Sequence, residues 1–398
     1  MNKAPLLGGI FLICGTSIGI GILGVPTATA ESGFLYSTLT FTVCWVFTTV
    51  AALYLLEANL WLKADTNLIS MSHCLLGKSG KWVSWILNLS LLYALICLYI
   101  LAGSSWLSLF ANEVLHINLS SAISPFLFLI MMGAIIYGGI RSIDKINRWL
   151  TILFLAAFAV IIGKTMSSVD LTLLESGNFK TITASVPTLL TAFGYSIILP
   201  AISPYYQYDH KRLNKMIMWG SSIALAIYII WELITLGTIP LEGEQGLLNL
   251  AKNHDDGTGV IRGLESISMG SLSVWMNIFV LCIVITSFIG VSLALYHFLK
   301  DGLNLKDTKT NKTGNLILMY GPPIGILLLC PAGFHQILRW SGAIVAIYLG
   351  ILPILMVWNG RYRLQQQGWK VPGGKMLLII SLIFYGCIVI QEIANFST

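Results

Sequence analysis

The sequence predicts an all-α integral membrane protein, and three observations carry that reading. The chain of 398 residues is 56% hydrophobic and only 10% charged, whereas globular domains carry about 25% charged residues. Its mean hydropathy is +0.81. The apolar residues also gather into runs of about 20, the length that spans a bilayer as a helix. No segment between these runs is long enough to fold as a soluble domain, which excludes soluble catalysis and nucleic-acid binding as primary functions. Residues 1–398 therefore read as one transmembrane domain. The seven cysteines lie in or beside apolar runs with no paired metal-ligand spacing, so they read as small packing residues and no metal or cofactor is expected.

About eleven spans are expected, at residues 6–30, 34–62, 82–110, 121–140, 149–166, 184–207, 216–239, 270–298, 315–330, 336–358 and 375–395. An odd number puts the termini on opposite sides. If the amino terminus is cytoplasmic, the inner segments hold 18 of the lysines and arginines and the outer segments hold 5, Lys164, Lys180, Lys252, Arg262 and Arg339. The excess of positive charge inside sets that orientation, with the carboxy terminus periplasmic or extracellular. Membrane lipids are thus obligatory partners, and oligomeric state is not legible. The outer segment 240–268 is long and polar and reads as a lid, a short re-entrant helix or a solvated loop.

Span one contains Gly15-Thr16-Ser17-Ile18-Gly19-Ile20-Gly21-Ile22-Leu23-Gly24-Val25-Pro26. Four glycines and a proline lower helix propensity in the middle of an apolar run, so the helix is expected to unwind around residues 15–21. Non-helical backbone at membrane depth persists where it is buried in protein or lines a cavity, and transporters use it to expose half-helix ends to substrate and ions. Three blander readings compete. Gly15 with Gly19 matches a close helix-packing face. Residues 19–24 spell Gly-x-Gly-x-x-Gly, but the strand and soluble helix that a dinucleotide fingerprint needs are missing. Ala28-Thr29-Ala30 resembles a signal-peptidase site, yet the glycines break the apolar core and further spans follow at once.

Spans one to five occupy about residues 5–166, spans six to ten about 183–358, and a last helix 375–395 follows. Five is odd, so the second half enters from the opposite side, an inverted 5+5 repeat in which the first helix of each half is discontinuous. Span six meets that expectation with Ala192-Phe193-Gly194-Tyr195-Ser196-Ile197-Ile198-Leu199-Pro200. Glu57 in span two and Glu232 in span seven are intramembrane acids, and such residues are functional candidates. Either fits a proton carrier, since burial disfavours the charged carboxylate; a loop cation pairing with Glu57 and a structural hydrogen bond for Glu232 are the alternatives. Thr286 and Ser287 place two hydroxyls in span eight, where hydroxyls usually bond back to the preceding turn.

Gly15-Thr16-x-Ile18-Gly19-x-Gly21-Ile22-Leu23-x-x-Pro26, Phe193-Gly194 with Pro200, Tyr228-x-x-Trp231-Glu232-x-x-x-x-Gly237-x-x-Pro240, and Thr286-Ser287-Phe288-x-Gly290-Val291 with Asp301 together resemble the hydroxy and aromatic amino acid permeases. These form a bacterial branch of the amino acid, polyamine and organocation superfamily. The resemblance implies a fold like that of the sodium-coupled leucine transporter, with discontinuous helices one and six. It implies secondary active uptake of tyrosine, tryptophan or phenylalanine across the bacterial inner membrane, usually driven by protons. Thr16, Ser17, Gly19, Ile20 and Gly21 of the first break, with Phe193, Gly194, Tyr195 and Ser196 of the second, then become the substrate-binding candidates. The substrate carboxylate would meet the amide of Gly21 and its neighbours, and the ammonium the carbonyls near Ser17 and Phe193. By the same resemblance Gly15, Ile18, Thr286 and Ser287 map onto a sodium site. Some proton-coupled relatives instead carry a lysine in the middle of span five, where this chain has none, since Lys164 lies at the outer end. Glu232 is the candidate for binding a proton, so the coupling ion is H+ or Na+. Relatives often carry Phe-His after the span-six Phe-Gly; Tyr195-Ser196 keeps an aromatic ring here and removes the imidazole. A serine or threonine permease, and more distantly a channel or receptor, are the competing functions. An intramembrane enzyme is not expected, because no His-x-x-x-His, Gly-x-Ser-x-Gly or paired intramembrane aspartates occur.

Overall fold

A computed structural model describes residues 6–19, 21–62, 67–120, 122–137, 140–175, 177–244, 246–253, 259–268, 272–303, 309–329 and 333–396. Helices with short connections account for them, and no strand occurs among the described residues. Among the described residues eight helical stretches are long and apolar enough to cross a membrane, and three shorter apolar helices, Leu6–Ser17, Ser124–Tyr137 and Thr313–Leu329, accompany them. The chain is a multi-pass membrane protein. The described residues of the expected apolar runs lie mostly on these helices, and the runs that begin at residues 6 and 184 are divided.

The first run forms α1 (Leu6–Ser17) and α2 (Gly21–Thr29), then α3 (Gly33–Leu62) returns. The next helix, α4 (Leu68–Leu115), begins with a reciprocal cap between Asn67 and Ser70 and turns at Gly77, whose φ of 79° and ψ of −162° only glycine adopts freely. α5 (Ser124–Tyr137), α6 (Ile140–Thr165) and the single turn α7 (Leu171–Leu174) lead to the second divided run. There α8 (Ile182–Ala192) stops at Phe193, a 3₁₀ turn covers Gly194–Ile198, and α9 (Leu199–Ile202) resumes. Asp209 caps α10 (His210–Thr238) by accepting from the amides of Lys211 and Arg212.

The polar 240–268 segment folds into α11 (Leu247–Asn253) and α12 (Gly259–Ile267), which pack on each other and on α2. The segment is therefore not a bare loop: among the described residues it is two short helices lying against the broken helix. The two helices approach closely at Gly259, where a side chain would meet the Leu250 carbonyl at 2.9 Å. α13 (Ser273–Gly302), α14 (Lys309–Leu329), α15 (Phe334–Val345), a π turn at Ala346–Ile351, α16 (Leu352–Tyr362) and α17 (Gly374–Phe396) complete the chain.

Packing places both divided runs in the interior. α1 lies on α10, α2 on α8, α8 on α15, α10 on α3, and α13 on α4 and α6. The α8–α15 approach is close because Gly342 leaves room for the Pro187 carbonyl. Large exposed apolar residues such as Leu35, Ile130, Trp149 and Ile383 stand on the outer helix faces, as a hydrocarbon solvent requires.

Candidate functional site

The two interruptions meet. A Cβ built on Gly21, the first residue of α2, would lie 2.9 Å from the Cβ and 3.0 Å from the Cα of Ala192, the last residue of α8. The chain can bring an amino-terminal helix end against a carboxy-terminal one only because residue 21 has no side chain. The first amides of α2 have no partner within their own helix, nor have the last carbonyls of α8. The junction therefore sets partial positive charge beside partial negative charge.

One face of α10 holds the first break open. Tyr228, Trp231 and Glu232 stand three and four residues apart and so share that face. The Tyr228 hydroxyl donates to the Ser17 carbonyl at 3.0 Å, and the Trp231 indole N–H donates to the Ile22 carbonyl at 2.9 Å. One aromatic donor thus satisfies a carbonyl on each side of the interruption. Both rings are fully buried, so neither bond competes with water. Around the bend, the Ile18 amide still bonds the Cys14 carbonyl and the Ile22 amide bonds that of Gly19.

Glu232 is fully buried. It accepts a hydrogen bond from the Thr29 hydroxyl at the end of α2, and Ser37 of α3 approaches the same carboxylate. Its Oε2 has no hydrogen-bond partner among the described residues. The same α10 face therefore grips the start of α2 through Trp231 and its end through Glu232. Glu57 is different: Arg361 donates to it through Nε at 2.7 Å and through a second nitrogen, and the Val371 amide donates at 2.7 Å. Both its oxygens are engaged, which answers the question of Glu57 in favour of an ion pair, with the cation on the last turn of α16 rather than in a loop.

The remaining sequence candidates are distributed as follows. Phe193 is buried and its ring centroid lies 5.3 Å from that of Tyr228, which in turn stacks on Phe41 at 5.8 Å. Gly194 faces Val345 and Leu349. Tyr195 and Ser196 are buried, and Tyr195 donates to Thr49 at 3.2 Å, in a network where Trp45 donates to Ser221 at 3.0 Å. That hydroxyl is directed into the α3–α10 interface. Thr16 and Ser17 use their hydroxyls within α1, toward the carbonyls of Leu12 and Ile13. A side chain at Gly19 would lie 3.5 Å from the Tyr99 hydroxyl and 3.9 Å from Ser287 Oγ, so α4 and α13 both reach the break. Thr286 bonds back to the Cys282 carbonyl at 2.6 Å. Ile18 is buried, and Gly15 is exposed with nothing within 4 Å of its Cβ position. Ile20 lies outside the described residues.

Sequence reasoning missed Thr29, Ser37 and the part that Tyr99 plays. Threonine and serine in membrane helices bond their own backbone so often that no pattern distinguishes the one that also reaches an acid; the Thr29 hydroxyl stands within reach of both the Val25 carbonyl and Glu232, and its one proton serves either.

A model of the tryptophan/tyrosine permease family matches residues 2–392. The chain belongs to that family. It is accordingly a permease and not an enzyme. Among its relatives, tyrosine-specific transport system 1 of Haemophilus influenzae is 30% identical over 387 residues, covering 96% of this chain and 94% of the relative. A tryptophan-specific transport protein of the same organism is 27% identical, over 96% and 94% of the two chains. Another of that description, from Pseudomonas aeruginosa, is 29% identical, over 96% and 93%.

Proposed function

We propose that this permease imports an aromatic amino acid across the bacterial inner membrane by alternating access, tyrosine first and then tryptophan or phenylalanine, coupled to protons. The observation that supports this best is the contact of the two interrupted helices at Gly21 and Ala192. Opposite helix ends there suit a zwitterion: carboxylate at the amino end of α2, ammonium at the carboxy end of α8. Phe193, Tyr228, Tyr99 and Phe41 surround the junction with rings, which suits an aromatic side chain. The curated relatives named above carry tyrosine or tryptophan in their descriptions.

In this reading eleven spans form the 5+5 inverted repeat, with repeat one at about residues 5–166, repeat two at about 183–358 and an extra helix at 375–395. The amino terminus is cytoplasmic and the carboxy terminus periplasmic. Glu232 carries the proton: it is buried, one carboxylate oxygen has no hydrogen-bond partner among the described residues, and the other accepts from Thr29 of α2. Protonation would weaken its hold on Thr29 and so on the outer half of span one. Sodium coupling is the second reading, favoured by Ser287 standing near Gly19. Uptake of labelled tyrosine, tryptophan, phenylalanine and serine into proteoliposomes, with proton and sodium gradients imposed separately, tests both parts. Preferential serine accumulation would overturn the substrate class, and accumulation driven only by sodium would overturn the coupling.

A further inference from the structure

Away from the junction, the ends of α6 and α10, the helix α12 and the start of α13 enclose a cavity of about 280 Å³. Its walls differ in chemistry. Lys164 and Ser168 stand at the exposed rim, while Thr165 and Thr238 are buried. The Thr165 hydroxyl donates to the Ile161 carbonyl at 2.6 Å and that of Ser268 to the Glu265 carbonyl at 3.1 Å, so each has its proton committed. Thr238 is 8% exposed and its Oγ1 has no hydrogen-bond partner among the described residues. A buried hydroxyl left in that state is unusual, since such groups nearly always find a partner. Leu264 and Leu272 add an aliphatic wall. Among the described residues that line the cavity none is acidic, and Lys164 brings an ammonium group to its rim.

We propose that this cavity is a second ligand site, taking the carboxylate group of a small organic acid or amino acid between Thr238 and Lys164. The hydroxyl donates from the floor, the ammonium attracts from the rim, and the aliphatic wall receives a short apolar body. The volume is just under the roughly 300–1,000 Å³ of drug-sized pockets, so the occupant is of amino-acid size or smaller. Because the cavity joins α12 to the ends of α6 and α10, a bound carboxylate ties that short helix to two long helices. Occupancy therefore slows any cycle in which they separate.

The test uses ¹⁹F NMR of the purified full-length protein with 4-fluorobenzoate, 4-fluorophenylalanine and 4-fluorophenethylamine as probes. Saturable binding of 4-fluorobenzoate is expected, with a component of the same strength for 4-fluorophenylalanine and none for the amine. Thr238→Val and Lys164→Gln should each weaken that component at least tenfold, and Gly21→Val should leave it intact. External 4-fluorobenzoate should slow uptake by the wild type and not by Lys164→Gln. No saturable 4-fluorobenzoate binding, equal binding in both cavity variants, or loss in Gly21→Val instead would overturn the proposal. Failure of tyrosine uptake with 4-fluorobenzoate binding retained would sink the functional reading above and leave this site standing.

Discussion

At the scale of single residues, Gly21 and Tyr228 have the sharpest consequences. Valine at 21 would press on the Ala192 backbone from 3.0 Å, separating the two helix ends that the substrate is proposed to bridge. Gly21→Val should lower tyrosine affinity at least tenfold, about 1.4 kcal/mol or more, as read by equilibrium binding on protein that still elutes as a folded monodisperse peak. Wild-type affinity would remove residue 21 from the site. Tyr228→Phe keeps the ring on Phe193 and deletes only the bond to the Ser17 carbonyl. A buried acceptor left unpaired costs about 1–3 kcal/mol, so the expected result is a lower melting temperature together with slower transport; unchanged stability and rate would show that the break does not depend on this bond. Asp170 shows how pH enters at a single exposed residue. The Thr172 hydroxyl and amide hold its carboxyl below the usual carboxylate range. A depressed folded-state pKa means that its contribution is present above the unfolded value near 3.9 and disappears only as pH falls below it. Asp170→Asn should therefore leave the uptake profile from about pH 5 to 8 unchanged, and any slope in that range belongs to another group.

At the scale of elements, the clearest interaction is the clamp between α3 and α16. Glu57 and Arg361 have side chains 0% and 5% exposed, and Arg361 also donates to the Val371 carbonyl at 2.9 Å while lying 5.8 Å over the Tyr54 ring. The pair thus fixes two helix ends and the connection into α17 at once. Removing one partner strands a buried charge, which costs about 3–5 kcal/mol, whereas replacing both with apolar residues is often neutral. Arg361→Met should strongly lower the melting temperature in detergent, and Glu57→Leu with Arg361→Met should recover most of the loss. A double variant no more stable than the single one would mean that the hydrogen bonds to residue 371, not the charges, hold this corner. The contrast with Glu232 explains what was legible in advance. Both acids stood out as charges in apolar runs, but their partners lie 304 and 203 positions away in sequence, and no local pattern encodes such pairs. The breaks, by contrast, were visible because glycine and proline act on the backbone where they stand, and the helices do stop at Ser17 and Ala192. The motif Tyr228-x-x-Trp231-Glu232 was legible as a motif and not as a device, because the carbonyls that it satisfies belong to another helix.

At the scale of the whole molecule, transport requires that one event at α10 be felt at both helix interruptions, and the contacts supply that path: Tyr228 touches Ser17 and Phe193, while Glu232 holds Thr29. If Glu232 is the proton carrier, charge and geometry change together. The ionised carboxylate accepts from Thr29 and steadies α2, and the protonated acid releases that helix. Glu232→Gln is a permanent mimic of the neutral form, so it should still exchange internal for external tyrosine, a process that needs no net proton movement, but should lose accumulation against a gradient. The measurement is counterflow and gradient-driven uptake in the same proteoliposomes at one protein density. Tyrosine accumulation by Glu232→Gln under a pure proton gradient would eliminate this carboxylate as the carrier. If sodium drives transport instead, Thr286→Val with Ser287→Ala should lose sodium stimulation while Glu232→Gln accumulates normally. The two outcomes are mutually exclusive because each variant leaves the other proposed ion site untouched: Glu232 lies against the end of α2, Ser287 against Gly19 on the far side of the break.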